Sequence, residues 1–235
     1  MKTQDWGLKA QGLGLIEGSD DRFAAALRGF GPTGLVAILV IALAPGHFVR
    51  ALLIVLWASL SHTPWREIGF VRPRSWIATV ATGIAFGVVF KLAMKAIVMP
   101  LLGADPINQT YHYLAGNAGA LPGILFALTI GAGFGEETVF RGYLFERLGK
   151  LLGSGVGATI TIVLLTTALF AGLHYPDQGL PGMEQAILTG LAFGTIYAVS
   201  GRLFMLMVAH AAFDLMALAL IYWNLETSVA HWIFK

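Results

Sequence analysis

Long apolar runs, broken by short polar interruptions, dominate the chain from about residue 23 onward. A helix that crosses a bilayer needs about 20 mostly apolar residues. Runs of that kind occupy 76–99, 121–146, 155–174, 183–200 and 202–223. The stretch 23–62 is equally apolar but is split by Pro45-Gly46, which predicts two helices over roughly 23–44 and 47–62. The second is short for a full span and has the length of a re-entrant segment. The pattern therefore predicts an all-α fold, a polytopic transmembrane bundle of about seven helices, with six to eight as the range. Residues 1–22 form a polar N-terminal segment, because Asp5, Glu17, Asp20 and Asp21 precede the first apolar run, and this is not the shape of a signal peptide. Glycines four apart (Gly83/Gly87, Gly131/Gly135, Gly190/Gly194) mark faces where helix backbones approach closely.

Composition agrees with a lipid-embedded chain. Of 235 residues, 57% are hydrophobic and only 12% charged, and the mean hydropathy is +0.74. A soluble domain usually carries about 25% charged residues, whereas a charge at the bilayer centre costs several kcal/mol. A net charge of +2 with scattered basic residues argues against nucleic acid as a partner. The absence of cysteine excludes disulfides, thiolate ligands and a cysteine nucleophile. Arg66, Arg72, Arg74, Arg147, Lys150 and Arg202 fall in alternate loops, while 100–120 and 175–182 hold no Lys or Arg. By the positive-inside rule the N-terminus is cytoplasmic and the C-terminus outside.

Ionisable residues inside spanning helices are functional candidates, and they fall in three places: Glu136-Glu137-Thr-Val-Phe-Arg141, Phe170-Ala-Gly-Leu-His174 and His210-Ala-Ala-Phe-Asp214. Glu137 and Arg141 are one turn apart and can pair, and Glu136 points about 100° away. His210 and Asp214 also share a face, so that the carboxylate can orient the imidazole. At a rise of about 1.5 Å per residue, Glu136, His174 and His210 reach overlapping depths. One cluster is the expectation. His47, His62, His112 and His231, at helix ends or in loops, are expected to take no part in the chemistry. Lys91 and Lys95 are expected to snorkel to the interface, Glu146 and Arg147 to be solvated, and Trp57, Trp65, Trp76, Trp223 and Trp232 to act as interfacial anchors.

The three segments, taken in order, resemble the CPBP family of CAAX proteases and bacteriocin-processing enzymes, also called Abi. Its pattern is Glu-Glu-x-x-x-Arg, Phe-x-x-x-His and His-x-x-x-Asn/Asp, here EETVFR, FAGLH and HAAFD. The resemblance covers about residues 121–222 and divides the chain into 23–120, N-terminal transmembrane helices with a connecting loop, 121–223, the catalytic helices, and a tail over 224–235. Asp214 stands where prenyl-protein members typically carry Asn, which changes the charge of the site.

The resemblance implies an intramembrane endopeptidase of a prokaryotic cell membrane, acting on membrane-anchored protein or peptide substrates. In it Glu136 is the general base, His174 positions water or stabilises charge, and His210 and Asp214 complete the site. Glu137, Arg141 and Phe170 support it. Members have been described as both glutamate proteases and metalloproteases. Metal-free chemistry is favoured here, with zinc held by Glu136, His174, His210 and Asp214 as the alternative. A different class also uses buried Glu and His, namely a proton-coupled transporter with the cluster as a relay. Such transporters commonly show two similar halves, whereas here the intramembrane Glu, His and Asp candidates all follow residue 130.

Overall fold

The computed structural model describes residues 21–234, so residues 1–20 of the predicted polar segment lie outside the described residues. Among the described residues every regular element is helical. In chain order they are α1 (Asp21–Arg28), α2 (Pro32–Leu43), α3 (His47–Leu60), α4 (Trp76–Leu101), α5 (Ala118–Leu152), α6 (Val156–Ser200), α7 (Phe204–Tyr222) and α8 (Glu226–Ala230). Four of them, α4 to α7, are long and apolar enough to cross a membrane. Local chemistry sets their limits. Ser75 caps α4 by accepting from the Ala78 amide at 3.2 Å, and Gly201, at φ 62°, ends α6 in the left-handed region. Over Ala127–Leu144 the winding of α5 is π-helical, a form concentrated at functional sites.

The predicted helix over 23–44 is two helices, α1 and α2, bent by 60°. Pro32 has no amide hydrogen and bars the preceding residue from the α region, so Gly31 is extended at ψ −177° and α2 starts afresh. The predicted spans 155–174 and 183–200 are the two arms of α6. Helical structure continues through the intervening residues, and Gly179, at φ 63° and ψ −161°, turns the chain back on itself. Gly190 then lies against Thr167 and Gly194 against Val163. A β-carbon at Gly190 would sit 2.9 Å from the Thr167 methyl, so the missing side chain is what lets the arms meet.

Helices α2 and α3, at 12 and 14 residues, are about 18 and 21 Å long, short of the ~30 Å hydrocarbon core. Their outer ends are held together, since Trp57 Nε1 donates to the Leu27 carbonyl at 3.1 Å and Arg147 to the Arg28 carbonyl at 2.8 Å. The Pro45-Gly46 tip therefore stops at mid-depth, where Gly135 of α5 packs on the backbone of His47. Arg50 Nε donates to the Ala44 carbonyl at 2.8 Å, which satisfies a backbone oxygen where water is scarce. The pair is a hairpin that reaches the middle of the bundle and returns.

Both predicted loop classes are gathered at opposite ends. Lys150 pairs with Glu67 at 3.2 Å and the Leu203 amide donates to Gly69 at 2.9 Å, which unites the basic loops. At the far end Thr110 donates to the Asp177 carbonyl and Gln178 Nε2 to the Tyr111 hydroxyl, both at 3.3 Å. Helices α4 and α7 cross at Gly83 and Gly87, where a β-carbon on Gly87 would lie 2.2 Å from the Ala209 carbonyl oxygen. Large apolar side chains such as Leu39, Val89, Leu164 and Leu169 face outward, a surface that lipid covers and water would not.

Four expectations about charged and aromatic residues change. Glu146 and Arg147 are buried and paired, with Arg147 over the rings of Trp57 and Phe30. Trp57 is a buried core residue whose indole N–H has a backbone partner, while Trp65, Trp76, Trp223 and Trp232 are exposed. Lys95 does not snorkel, because it pairs with Glu226 at 3.0 Å under the 102–117 loop. Lys91 is also buried, and it lines the cavity described next.

Candidate active site

A cavity of about 370 Å³ opens between α3, α4, α5, α6 and α7. Glu136, His174, His210 and Asp214 all line it, so the residues that the sequence separates by dozens of positions share one wall. Each comes from a different constraint. Glu136 projects from the π-helical part of α5. His174 stands at the end of the first arm of α6, just before the Gly179 reversal. His210 and Asp214 lie one turn apart on α7, brought inward by the close α4–α7 crossing.

The buried support beneath this wall is a chain of charges. Arg141 Nη1 donates to Glu137 Oε1 at 2.7 Å, with both side chains almost fully buried. The same oxygen lies 2.6 Å from His210 Nδ1. A carboxylate next to a guanidinium accepts, so Nδ1 carries the proton and Nε2 is turned to the cavity. The Arg141 guanidinium also sits over the rings of Phe170 and Phe193, at 4.8 and 5.5 Å to their centres. Phe170 thereby ties Arg141 to His174, whose ring centre is 4.5 Å away.

The partner of His210 differs from the expected one. Asp214 Oδ2 is 3.6 Å from His210 Nε2, too long for a hydrogen bond, while Glu137 makes the short contact on the other nitrogen. Glu137 thus both pairs with Arg141 and orients His210. One residue set aside by the sequence reading joins the site. His47 Nδ1 lies 3.0 Å from Glu136 Oε1, and His47 lines the cavity. The signal that could have found it is its place directly after the Pro45-Gly46 break, at the tip of an apolar hairpin too short to span. Gly131, predicted to pack, has no atom within 4 Å of its missing side chain and instead widens the cavity.

Glu136 is held by one oxygen and free at the other. Its Oε2 is buried without a hydrogen-bond partner among the described residues, 3.8 Å from His210 Nε2. His174 is oriented in a related way, since its Nδ1 lies 2.7 Å from the Phe170 carbonyl oxygen. A carbonyl only accepts, so this nitrogen is the protonated one, and Nε2 is left for the cavity. Glu136, His174 and His210 therefore line one shared space, with one nitrogen of each imidazole left uncommitted. Such a set can accept a proton, bind water and donate to developing negative charge.

The zinc alternative asks Glu136, His174, His210 and Asp214 to close round one point. As arranged, they do not. Among the described residues no group of three or more His, Asp or Glu side chains has the geometry to hold a metal ion. Both histidines engage Nδ1 with protein oxygens and keep Nε2 free, and Asp214 and Glu136 stand 3.6 and 3.8 Å from His210 Nε2, so the donors are of the kind zinc takes although their present arrangement forms no metal site.

Residues 118–216 match the family model described as type II CAAX prenyl endopeptidase Rce1-like. The matched segment includes all the motif residues from Glu136 to Asp214, and it leaves out His47 and Lys91. No curated protein and no solved structure matches the chain.

Proposed function

We propose that this membrane protein, whose residues 118–216 match the Rce1-like CAAX prenyl endopeptidase model, hydrolyses peptide bonds of membrane-anchored substrates with Glu136 as the base. The observation that carries the reading is the state of the Glu136 carboxylate: the residue lines the cavity, Oε1 lies 3.0 Å from His47 Nδ1, and Oε2 is buried without a hydrogen-bond partner among the described residues.

Peptide hydrolysis needs an activated water, a stabiliser for the oxyanion and a proton for the leaving amine. A water between the Glu136 carboxylate and His174 Nε2 gives its proton to Glu136 as its oxygen bonds to the carbonyl carbon. Negative charge then collects on the carbonyl oxygen. His210 stabilises it when doubly protonated, because Nε2–H then points into the cavity while Glu137 holds Nδ1–H. As the carbon–nitrogen bond breaks, the proton on Glu136 passes to the departing amine, which leaves two shorter chains and a regenerated carboxylate. Asp214, beside His210, contributes a second acceptor on the same wall. The hairpin supplies the fixed end of Glu136 through His47, and no step requires a metal ion.

The test is purified protein in lipid nanodiscs with a library of membrane-anchored peptides, read by mass spectrometry. Wild type is expected to yield defined fragments, and Glu136→Ala to yield none while remaining folded. Equal cleavage by Glu136→Ala would overturn the assignment of the base.

A further inference from the structure

Lys91 carries a charge into the interior of the molecule. It stands on α4, outside the segment that matches the endopeptidase model, and its side chain is buried. Its ammonium donates to Gln185 Oε1 at 2.8 Å and lies 4.8 Å from the centre of the Phe213 ring. It lines the cavity together with Glu136 and Asp214. A buried ammonium is costly unless an opposite charge answers it, and the register of α4 against α7 identifies that charge. Gly83 packs on Met205 and Val208, and Gly87, one turn further on, packs on Ala209, Ala212 and Phe213. The two helices therefore run in the same direction and keep step, turn for turn. One more turn of α4 brings Lys91 to Phe213, and Asp214 is the carboxylate at that level of the cavity. Of the charged side chains around Lys91, Asp214 acts on it most strongly. The other nearby carboxylates are taken, Glu136 by His47 and Glu226 by Lys95, each at 3.0 Å.

Asp214 has a second neighbour in His210. Its Oδ2 is 3.6 Å from His210 Nε2, beyond hydrogen-bond reach. That nitrogen is the uncommitted one, because Nδ1 lies 2.6 Å from Glu137. A movement of less than about 1 Å would close Asp214 onto it and engage the hydrogen that a substrate carbonyl needs. Lys91 offers the same carboxylate a competing attraction from α4. Among the described residues no carboxylate lies within 4 Å of the Lys91 ammonium, unlike that of Lys95, so this attraction acts across the cavity and not through contact.

We propose that Lys91 is a positioning residue for the reaction, whose charge balances Asp214 and holds that carboxylate off His210, leaving His210 Nε2 open to the substrate carbonyl. The proposal rests on the peptidase reading of the cavity. Lys91 acts through Asp214 and needs no contact with the scissile bond, so its loss does harm only while residue 214 carries a negative charge.

The experiment compares the full-length wild type in nanodiscs with Lys91→Met, Lys91→Arg, Asp214→Asn and the double variant Lys91→Met/Asp214→Asn. Cleavage of a membrane-anchored peptide gives kcat and KM, and thermal melting gives stability. Lys91→Met is expected to lower kcat about 10- to 100-fold with KM little changed, the scale of a misplaced catalytic group. Its Tm is expected to fall by about 5–10 °C. Lys91→Arg keeps the charge and is expected to retain most of the rate. In the double variant Asp214→Asn removes the charge that Lys91 balanced, so kcat and Tm are both expected to rise above those of Lys91→Met. Melting shifts that simply add, or a double variant no more active than Lys91→Met, would overturn the proposal. So would wild-type kcat in Lys91→Met, or a loss confined to KM. Should Lys91→Met fail to fold, the double variant decides: recovered folding supports the pair, and continued failure overturns it. A wild type that cleaves no peptide would count against the peptidase reading, and the melting cycle would then uphold or overturn the Lys91–Asp214 pair without it.

Discussion

His210 Nδ1 lies 2.6 Å from Glu137 Oε1, an oxygen that also accepts from Arg141 at 2.7 Å. The carboxylate that a helical-wheel argument assigns to a local ion pair is therefore the group that orients the cavity histidine. Glu136, its neighbour in the chain, is left to face the cavity. Two adjacent glutamates are divided in this way between the buried support and the cavity wall, and their variants are expected to differ.

Glu137→Gln is expected to destabilise the protein far more than Glu136→Gln. It strands Arg141, 2% exposed, without a counter-charge, at a cost of about 3 kcal/mol or more for a broken buried pair. Thermal melting and membrane yield of the two variants give the comparison. Equal stability with equal loss of cleavage would mean that both carboxylates take part in the reaction.

Loss of His47 should loosen Glu136 without touching the substrate. His47→Ala is expected to lower kcat by about 100-fold, the scale of a small misplacement of a catalytic group, with KM little changed. His47→Asn, which keeps a donor on the hairpin tip, is expected to recover part of the rate. Full activity in His47→Ala would show that the 3.0 Å contact with Glu136 has no catalytic consequence.

Exhaustive chelation is expected to leave cleavage intact, since Glu136, His174, His210 and Asp214 do not close round one point. Metal analysis of the chelated protein, set beside its activity, completes the test. Activity lost on chelation and restored by zinc would require those side chains to rearrange round a metal.

Packing at the α4–α7 crossing offers a control remote from the chemistry. Gly87→Ala places a methyl group 2.2 Å from the Ala209 carbonyl oxygen and 2.9 Å from the Ala212 side chain. The expected loss is about 1–3 kcal/mol, as for an overpacked core. A melting temperature unchanged by Gly87→Ala would show that the two helices separate easily, against the contact described.

The chain has no cysteine, so single cysteines report sidedness cleanly. Gln109→Cys, on the exposed loop next to Thr110, is expected to react with a membrane-impermeant maleimide on intact cells. Leu152→Cys, exposed at the opposite end, is expected to react only after the membrane is opened. The reverse pattern would invert the orientation that the loop charges imply.

The sequence by itself determined the class of molecule and where its ionisable candidate residues lie. Apolar run lengths depend only on bilayer thickness and helix rise, so the spans and the loops between them were legible. The three charged motifs were legible because ionisable residues inside such runs are costly and therefore few. Tertiary structure decided what depends on the approach of separate helices. Pro45-Gly46 marks a break, but only the contacts of Trp57 with Leu27 and of Gly135 with His47 make it the tip of a hairpin and bring His47 to Glu136. Spacing allowed His210 to pair with Asp214 one turn away, and the inter-helix contact with Glu137 is shorter. Lys91 has the sequence signature of a snorkelling lysine. Its burial beside Gln185 follows from the fold of α6 at Gly179, where a left-handed glycine sends the second arm back against α4 and the cavity wall. Periodicity reports which face of one helix is apolar, and it carries no information about which other helix that face will meet.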